Sequence, residues 1–418
     1  MRIVKLFFGG LAGLIALLAL VGSGLYLSDP WLWKRYATSL QGLDVTNVGW
    51  RSPAESVPGG DRRLREDVVN GISADALREA MAYAEQTESY ALLIHHRGAL
   101  VVERYWGGHG PDSRFDTASM HKSVMALLLG IAIDEGHIGS IDDPVGRYIE
   151  EWANDPRGEI TLRQLATMSS GLLVEAFRPS PFSKGMQLVI GSNIDELALS
   201  LPLDETPGTR FEYLNFSSQV LGIALTRAVG MRYAQYLSER LWQPLGAPDT
   251  AVWLDREDGS PRTFCCLLAS APAWMHVGVL MLNEGRVDGQ QIVPAQWLAQ
   301  MTTPSAVNPN YGLQVWLDSP ASGVRTYNRQ STLEVPHSEP YLADDVVFLD
   351  GAGGQRVYVI PSAELVIVRI GKSRMDWDDA VLPNALLRGR VTDATSPTGP
   401  LTPATPVPAA MVAPSPDD

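Results

Sequence analysis

Cysteine is nearly missing from this chain: two occur, Cys265 and Cys266, among 418 residues. With no separated pair there is no disulfide framework, and adjacent residues rarely reach the geometry of a mutual bond, so two small core residues are expected. Positive charge is also in deficit, since 33 Lys and Arg face 47 Asp and Glu for a formal net charge of −14. That balance argues against a nucleic-acid or anionic-lipid surface, which needs clustered positive potential, and gives anionic substrates an unfavourable field. The seven histidines include the neighbours His95 and His96 but no metal-ligand spacing, so no metal is expected. No serine stands in a Gly-x-Ser-x-Gly pattern, which argues against an α/β-hydrolase elbow. Gly371-Lys372-Ser373 ends like a phosphate-binding loop, but Val366 occupies the place of its first glycine, so no nucleotide cofactor is implied.

What the chain does have is apolar material: 45% hydrophobic against 19% charged residues, enough to bury one large core or two medium ones. Arg2 and Lys5 precede an uncharged run, Leu6 to Leu27, long enough as a helix to cross a bilayer. Residues 1–27 are read as an uncleaved membrane anchor, the alternative being a cleaved signal with a poor site at Val21-Gly22-Ser23. The expected location is a bacterial cell envelope, with the remainder of the chain across the inner membrane, or secreted if cleavage occurs. Residues 28–69, with Pro53, Pro58, Gly59 and Gly60, read as a loop-like linker arm. Ser73 caps an expected helix over Ala74 to Glu85, and Ala91 to Tyr105 reads as two strands about an Arg97-Gly98 turn. A mostly helical stretch follows at about 160–245, and strands return at Asp345–Leu349, Arg356–Ile360 and Leu365–Ile370. The fold expected is α+β: an antiparallel sheet flanked by helices plus a mostly helical subdomain, over residues 70–392. The Pro-rich tail, 393–418, is expected to be disordered.

One helix poses a chemical problem. Val124 to Ile133 reads VMALLLGIAI, apolar on every side and therefore buried all round. Lys122 stands at its start, and an interior lysine is rare without a partner. Of the five lysines (5, 34, 122, 184 and 372), only Lys122 has a serine three residues before it, Ser119, on the same helical face. Desolvation lowers an amine's pKa, and a neutral amine can then take the hydroxyl proton, making Ser119 a candidate nucleophile and Lys122 its base. Downstream, Pro207-Gly208 leads into Tyr213-Leu-Asn215, the only Tyr-x-Asn among thirteen tyrosines.

Ser119-Met-His-Lys122, the segment Ile160 to Leu172, and Tyr213-Leu-Asn215 stand in the order and spacing of the class C β-lactamase-like serine hydrolases, which this chain resembles over about residues 70–390. That group includes D-alanyl-D-alanine peptidases, β-lactamases, esterases and amidohydrolases of the 6-aminohexanoate-dimer hydrolase kind. The resemblance implies a β-lactamase/DD-peptidase-like fold, Ser119 acylated, Lys122 activating it, Tyr213 relaying a proton and Asn215 orienting substrate or lysine. It implies no cofactor. The family's Lys-Thr-Gly strand is matched by Leu349-Asp350-Gly351, so the positive charge is missing. Gly351 would still admit substrate, and the Ala352 N–H would complete an oxyanion hole with that of Ser119. Trp274, Trp297 and Trp316 are read as core or cleft-wall residues.

With Leu349 for lysine and Asp344, Asp345 and Asp350 nearby, the expected substrates are small neutral esters or amides, unless an arginine such as Arg356 or Arg329 supplies a cation. A β-lactamase or D-alanyl-D-alanine carboxypeptidase is the alternative. A non-catalytic penicillin-recognising sensor is the second, disfavoured by the short stub Met1–Lys5, and an inactive scaffold is disfavoured by the retained Ser119, Lys122 and Tyr213. No protein partner is inferred.

Overall fold

Runs such as Leu365–Val368 are apolar on both faces, and strands of that kind settle inside a sheet. The computed structural model, which describes residues 17–391 apart from 19, 43, 68–70 and 176, places them there. In chain order the main sheet comprises β1 (Ser89–His96), β2 (Ala99–Tyr105), β3 (Trp316–Leu317), β4 (Val347–Gly351), β5 (Gln355–Ile360) and β6 (Leu365–Gly371). The spatial order is β2-β1-β6-β5-β4-β3, antiparallel throughout. Arg97 and Gly98 turn β1 into β2 with φ of 49° and 80°, as the hairpin reading requires.

Five helices frame the sheet and the cleft: α1 (Ala74–Gln86), α2 (His121–Asp134), α3 (Asn215–Val229), α4 (Ala271–Leu282) and α5 (Val381–Arg388). Strand alternation sends Leu93, Leu349, Val357 and Val366 into one core cluster and Leu92, Phe348, Tyr358 and Ile367 into another. α1, capped by the Ser73 hydroxyl accepting from Ala76 N–H at 3.3 Å, packs with α5 over the second face. α4 covers the first, and Gly278 sets its approach, since a Cβ there would stand 2.4 Å from Val366 Cγ1. α2 is buried at every residue from His121 to Ala132, as its apolar run predicts. Short helices at Leu162–Ala166, Lys184–Ile190, Ile194–Leu199 and Tyr233–Leu237 join α3 in the helical part. The fold is the expected α+β arrangement.

The stretch read as a linker arm is different. Pro30–Ser39 is a helix, and Ala54–Val57 is a strand on the edge of a second, four-stranded sheet, paired with Thr250–Trp253. Buried Arg35 donates to the carbonyls of Ser52, Ile190, Gly191, Leu254 and Asp255 at 2.7–3.3 Å, which ties the segment into the body. Tertiary hydrogen bonds, such as Gly60 N–H to Ala247 O at 2.7 Å, order a stretch that its prolines and glycines mark as loop. Of the run read as a membrane anchor, residues 6–16 and 19 lie outside the described residues, as does the Pro-rich tail from 393. Residues 20–28 are helical and expose Leu20, Val21, Leu25 and Leu27. Among the described residues no helix is long and apolar enough to cross a membrane.

Candidate active site

A strand end and a tight turn deliver Ser119. Arg114–Asp116 closes the four-stranded sheet, the Asp116 carboxylate accepts from Ala118 N–H at 2.9 Å, and Ala118 takes φ +50° to open a single 3-10 turn into α2. One turn on, Lys122 is 1% exposed. Its Nζ lies 2.9 Å from Ser119 Oγ, 2.8 Å from Asn215 Oδ1 and 2.6 Å from the Phe264 carbonyl oxygen. Burial lowers its pKa to about 7, against an upward pull from Asp350. A neutral amine has two N–H bonds and one lone pair. Asn215 Oδ1 and Phe264 O only accept, so they take both N–H groups and the lone pair is left facing the Ser119 hydroxyl.

Tyr213 reaches the same point from the helical side. The Ile160–Leu172 segment holds it there: Glu212 N–H donates to Met168 O at 2.7 Å, and Leu214 N–H to Met168 Sδ at 3.4 Å. Tyr213 itself donates its N–H to Tyr327 O at 2.9 Å and accepts at its carbonyl from Asn328 Nδ2 at 3.0 Å. Its ring stacks on Trp316 with centroids 5.7 Å apart, and Lys122 Nζ lies 4.9 Å from the ring centre. Burial pushes the phenol well above its ordinary pKa, with Asp350 adding to the rise and a hydrogen bond with Ser119 opposing it. Tyr213 therefore stays a neutral acid near pH 7, and Lys122 is the group able to act as base. Trp274 and Trp297 are core residues, the latter donating to Ala126 O at 3.0 Å, whereas Trp316 backs the site.

The third motif needs correcting in one respect. Leu349 is wholly buried in the core, so it does not face the cleft in place of a lysine. The charge felt by both Lys122 and Tyr213 is that of Asp350, on the opposite face of β4. Asp350 Oδ2 accepts from Arg325 at 2.6 Å and Tyr327 at 2.8 Å, and Oδ1 stands 2.5 Å from Arg356 Nη1. Asp379 bridges the same two arginines at 2.6 and 2.7 Å. Two cations and two anions leave the cluster neutral. Arg329 is likewise shared among Asp204, Glu205 and Glu212. Gly351 packs against the chain just before Ser119, since a Cβ on it would fall 2.2 Å from Thr117 O, and Ala352 begins the exposed turn beyond.

Sequence reading missed the turn Arg262–Cys266, which supplies backbone rather than side-chain groups. Its carbonyls at Arg262 and Cys265 accept from buried His121 Nδ1 at 3.1 and 2.8 Å, while His121 Nε2 accepts from Tyr233 at 2.8 Å. Burial lowers the imidazole to about 4, keeping it neutral. Cys265 and Cys266, expected as unbonded core residues, form a disulfide. Adjacency forbids the usual Cα separation, and the chain adapts by taking φ +71° at Cys266. Among the described residues no group of three or more His, Cys, Asp or Glu is placed to hold a metal.

Comparison with known proteins meets this geometry from outside. The 6-aminohexanoate-dimer hydrolase of Paenarthrobacter ureafaciens is 26% identical over 280 residues, 65% of this chain and 69% of that protein. A solved structure from Bacillus anthracis, described as a 6-aminohexanoate-dimer hydrolase, superposes with a TM-score of 0.67 at 21% identity, covering 86% of this chain and 94% of the other. A D-stereospecific amidohydrolase from Streptomyces shares the fold with a TM-score of 0.55 at 18% identity, over 76% and 99% of the two chains. The family model described as Beta-lactamase matches residues 74–384, which span Ser119, Lys122, Tyr213 and Asn215, and the chain belongs to that family of serine hydrolases.

Proposed function

We propose that the protein hydrolyses small neutral esters or amides through an acyl-enzyme on Ser119. The observation that carries this is the Lys122 environment: two acceptor-only oxygens at 2.8 and 2.6 Å leave one lone pair, directed at the Ser119 hydroxyl. Neutral Lys122 takes the Ser119 proton as Oγ attacks the substrate carbonyl. The resulting oxyanion is received by the Ser119 and Ala352 N–H groups. Tyr213, still protonated, gives its proton to the departing alcohol or amine and regains one from Lys122. Water then attacks the ester, and the same pair removes its proton. The relatives named as amide hydrolases support this chemistry.

Neutral substrates are favoured by charge. A bound carboxylate needs an uncompensated cation, and Arg325, Arg356 and Arg329 are each engaged by acids. Purified protein is expected to show one fluorophosphonate adduct at Ser119, absent in Ser119→Ala, and a higher kcat/KM for a neutral ester than for its carboxylated analogue or nitrocefin. Preference for the carboxylated compounds would overturn the esterase or amidase reading. The N-terminal apolar run serves as the membrane anchor in this reading, with the domain on the outer side. Supporting it, residues 20–28 leave Leu20, Leu25 and Leu27 exposed, and Trp33 Nε1 donates to Leu25 O at 2.7 Å, joining that helix to Pro30–Ser39. Recovery of the full-length protein in the soluble fraction of alkali-washed cells would remove the anchor.

A further inference from the structure

The turn Arg262–Cys266 touches the reactive helix on both sides of Ser119. Cys266 N–H donates to Ala118 O at 3.1 Å, immediately before the serine. Phe264 O accepts from Lys122 at 2.6 Å and Cys265 O from His121 at 2.8 Å, three and two residues after it. Three consecutive residues thus supply three contacts with Ala118, His121 and Lys122. Phe264 O lies in one peptide plane and Cys265 O and Cys266 N–H lie in the next, so the backbone torsions of Cys265 set how the three point, and the chain turns away just beyond them with Cys266 at φ +71°. That left-handed conformation is disfavoured for a residue bearing a Cβ, and a covalent tie that closes a ring through the ψ of Cys265 and the φ of Cys266 restricts both torsions together. The Cys265–Cys266 bond is that tie, nearly sealed from solvent at 7% and 4% exposure.

We infer that the Cys265–Cys266 disulfide is a positioning element for catalysis: it locks the turn whose Phe264 carbonyl aims the Lys122 lone pair at Ser119, and its reduction slows acylation. The inference rests on the Ser119–Lys122 hydrolase reading. In the reduced enzyme the ψ of Cys265 and the φ of Cys266 are released together, the Phe264 carbonyl leaves Lys122, and the freed N–H lets the amine turn its lone pair away from the serine. The redox step is a two-electron exchange with a dithiol. The sulfur–sulfur bond of the pair breaks, two thiols form with the protons of the reductant, and the reductant closes to its own cyclic disulfide.

The experiment compares oxidised full-length enzyme, enzyme reduced by dithiothreitol and then dialysed free of it under nitrogen, and the same sample reoxidised in air. The thiol state is read by mass after iodoacetamide is added in denaturant to a portion of each sample. Reduction is expected to lower kcat and the fluorophosphonate labelling rate of Ser119 by roughly ten- to a hundredfold, the scale of a misplaced catalytic group, with KM changed less than about twofold and full recovery on reoxidation. Cys265→Ser/Cys266→Ser should match the reduced enzyme, while Cys265→Ser/Cys266→Gly, which tolerates the left-handed turn without a bond, should recover at least about a third of wild-type kcat. Equal labelling rates in the oxidised and reduced forms overturn the inference, as does a loss of rate seen only together with loss of the near-ultraviolet circular dichroism. An oxidised enzyme that fails to label at Ser119 sinks the hydrolase reading instead.

Discussion

Two buried charged sites lie against the same cleft, and they behave in opposite ways. Lys122 is 1% exposed with three oxygen neighbours, none of them a carboxylate, and burial brings its pKa to about 7. Arg325 and Arg356 are buried just as deeply, 3% and 1% exposed, but each is flanked by Asp350 and Asp379. For Arg325, burial works against the charge and the two aspartates more than reverse it, so its pKa is raised well above the ordinary value. For Asp379, burial would raise the carboxyl and the arginines hold it down at about 2. Burial with counter-ions makes a charge permanent, and burial without them makes it exchangeable near neutral pH. The first is a structural joint behind Tyr213; the second is the group proposed as the base.

Removing the exchangeable charge has the largest expected consequence. Lys122→Ala should cut kcat/KM by about 10⁴-fold, since it deletes the proposed general base and leaves Ser119 without activation, and pre-steady-state labelling should show the loss in acylation. Breaking the compensated cluster comes next. Asp350→Asn leaves two buried arginines facing one carboxylate, and about 3–5 kcal/mol of stability is expected to go, measurable by urea unfolding. The same change withdraws the upward pull on Lys122, so the acid limb of kcat/KM, which rises through about pH 7 in the wild type as Lys122 deprotonates, should move to lower pH. A limb that stays in place would mean the two sites are electrostatically independent. Tyr213→Phe keeps both charges and removes only the proton relay, so kcat should fall about a hundredfold with folding intact.

The smallest effect is thermodynamic. Lys122 has a folded pKa of about 7 against an ordinary 10.5, so between those values the unfolded chain binds more protons and stability rises with pH. The penalty is fully present below about pH 7 and gone above about pH 10.5. Lys122→Met lacks this component. The difference in Tm, wild type minus variant, should therefore climb from pH 7 to pH 10, and a flat difference would show that Lys122 is solvated in the native protein.

Side-chain patterns carried the reading of this contrast only partway. Ser119, Lys122, Tyr213 and Asn215 were visible because their chemistry is written in residue identity and spacing, and α2 because ten apolar residues in a row leave no wet face. The Phe264 carbonyl was not, since every residue has one and only the turn decides where it points. Arg325, Tyr327 and Asp379 were equally silent: they converge from two separate segments, and nothing in a charged residue's local sequence announces a partner 54 positions away, as Asp379 is from Arg325. Leu349 was placed in the right strand but on the wrong face, because the apolar stretch Val346–Leu349 offers no polar position to set the alternation. The disulfide escapes a rule on Cα spacing: the two Cα atoms stay 3.7 Å apart, below the usual range, and the backbone around them accommodates the bond.

Arg35 has a consequence for where this protein begins as a folding unit. Its five carbonyl contacts, together with the Ala54–Val57 strand, belong to residues that a boundary drawn at residue 70 would discard. A chain cut there would bare the Thr250–Trp253 edge and empty the socket between Gly191 and Asp255, directly behind the segment that runs on to Arg262 and Phe264. Whatever is joined to residue 30 is thus joined to the body without a leash. The cleft therefore keeps a fixed bearing relative to Pro30–Ser39, because the two are parts of one packed body.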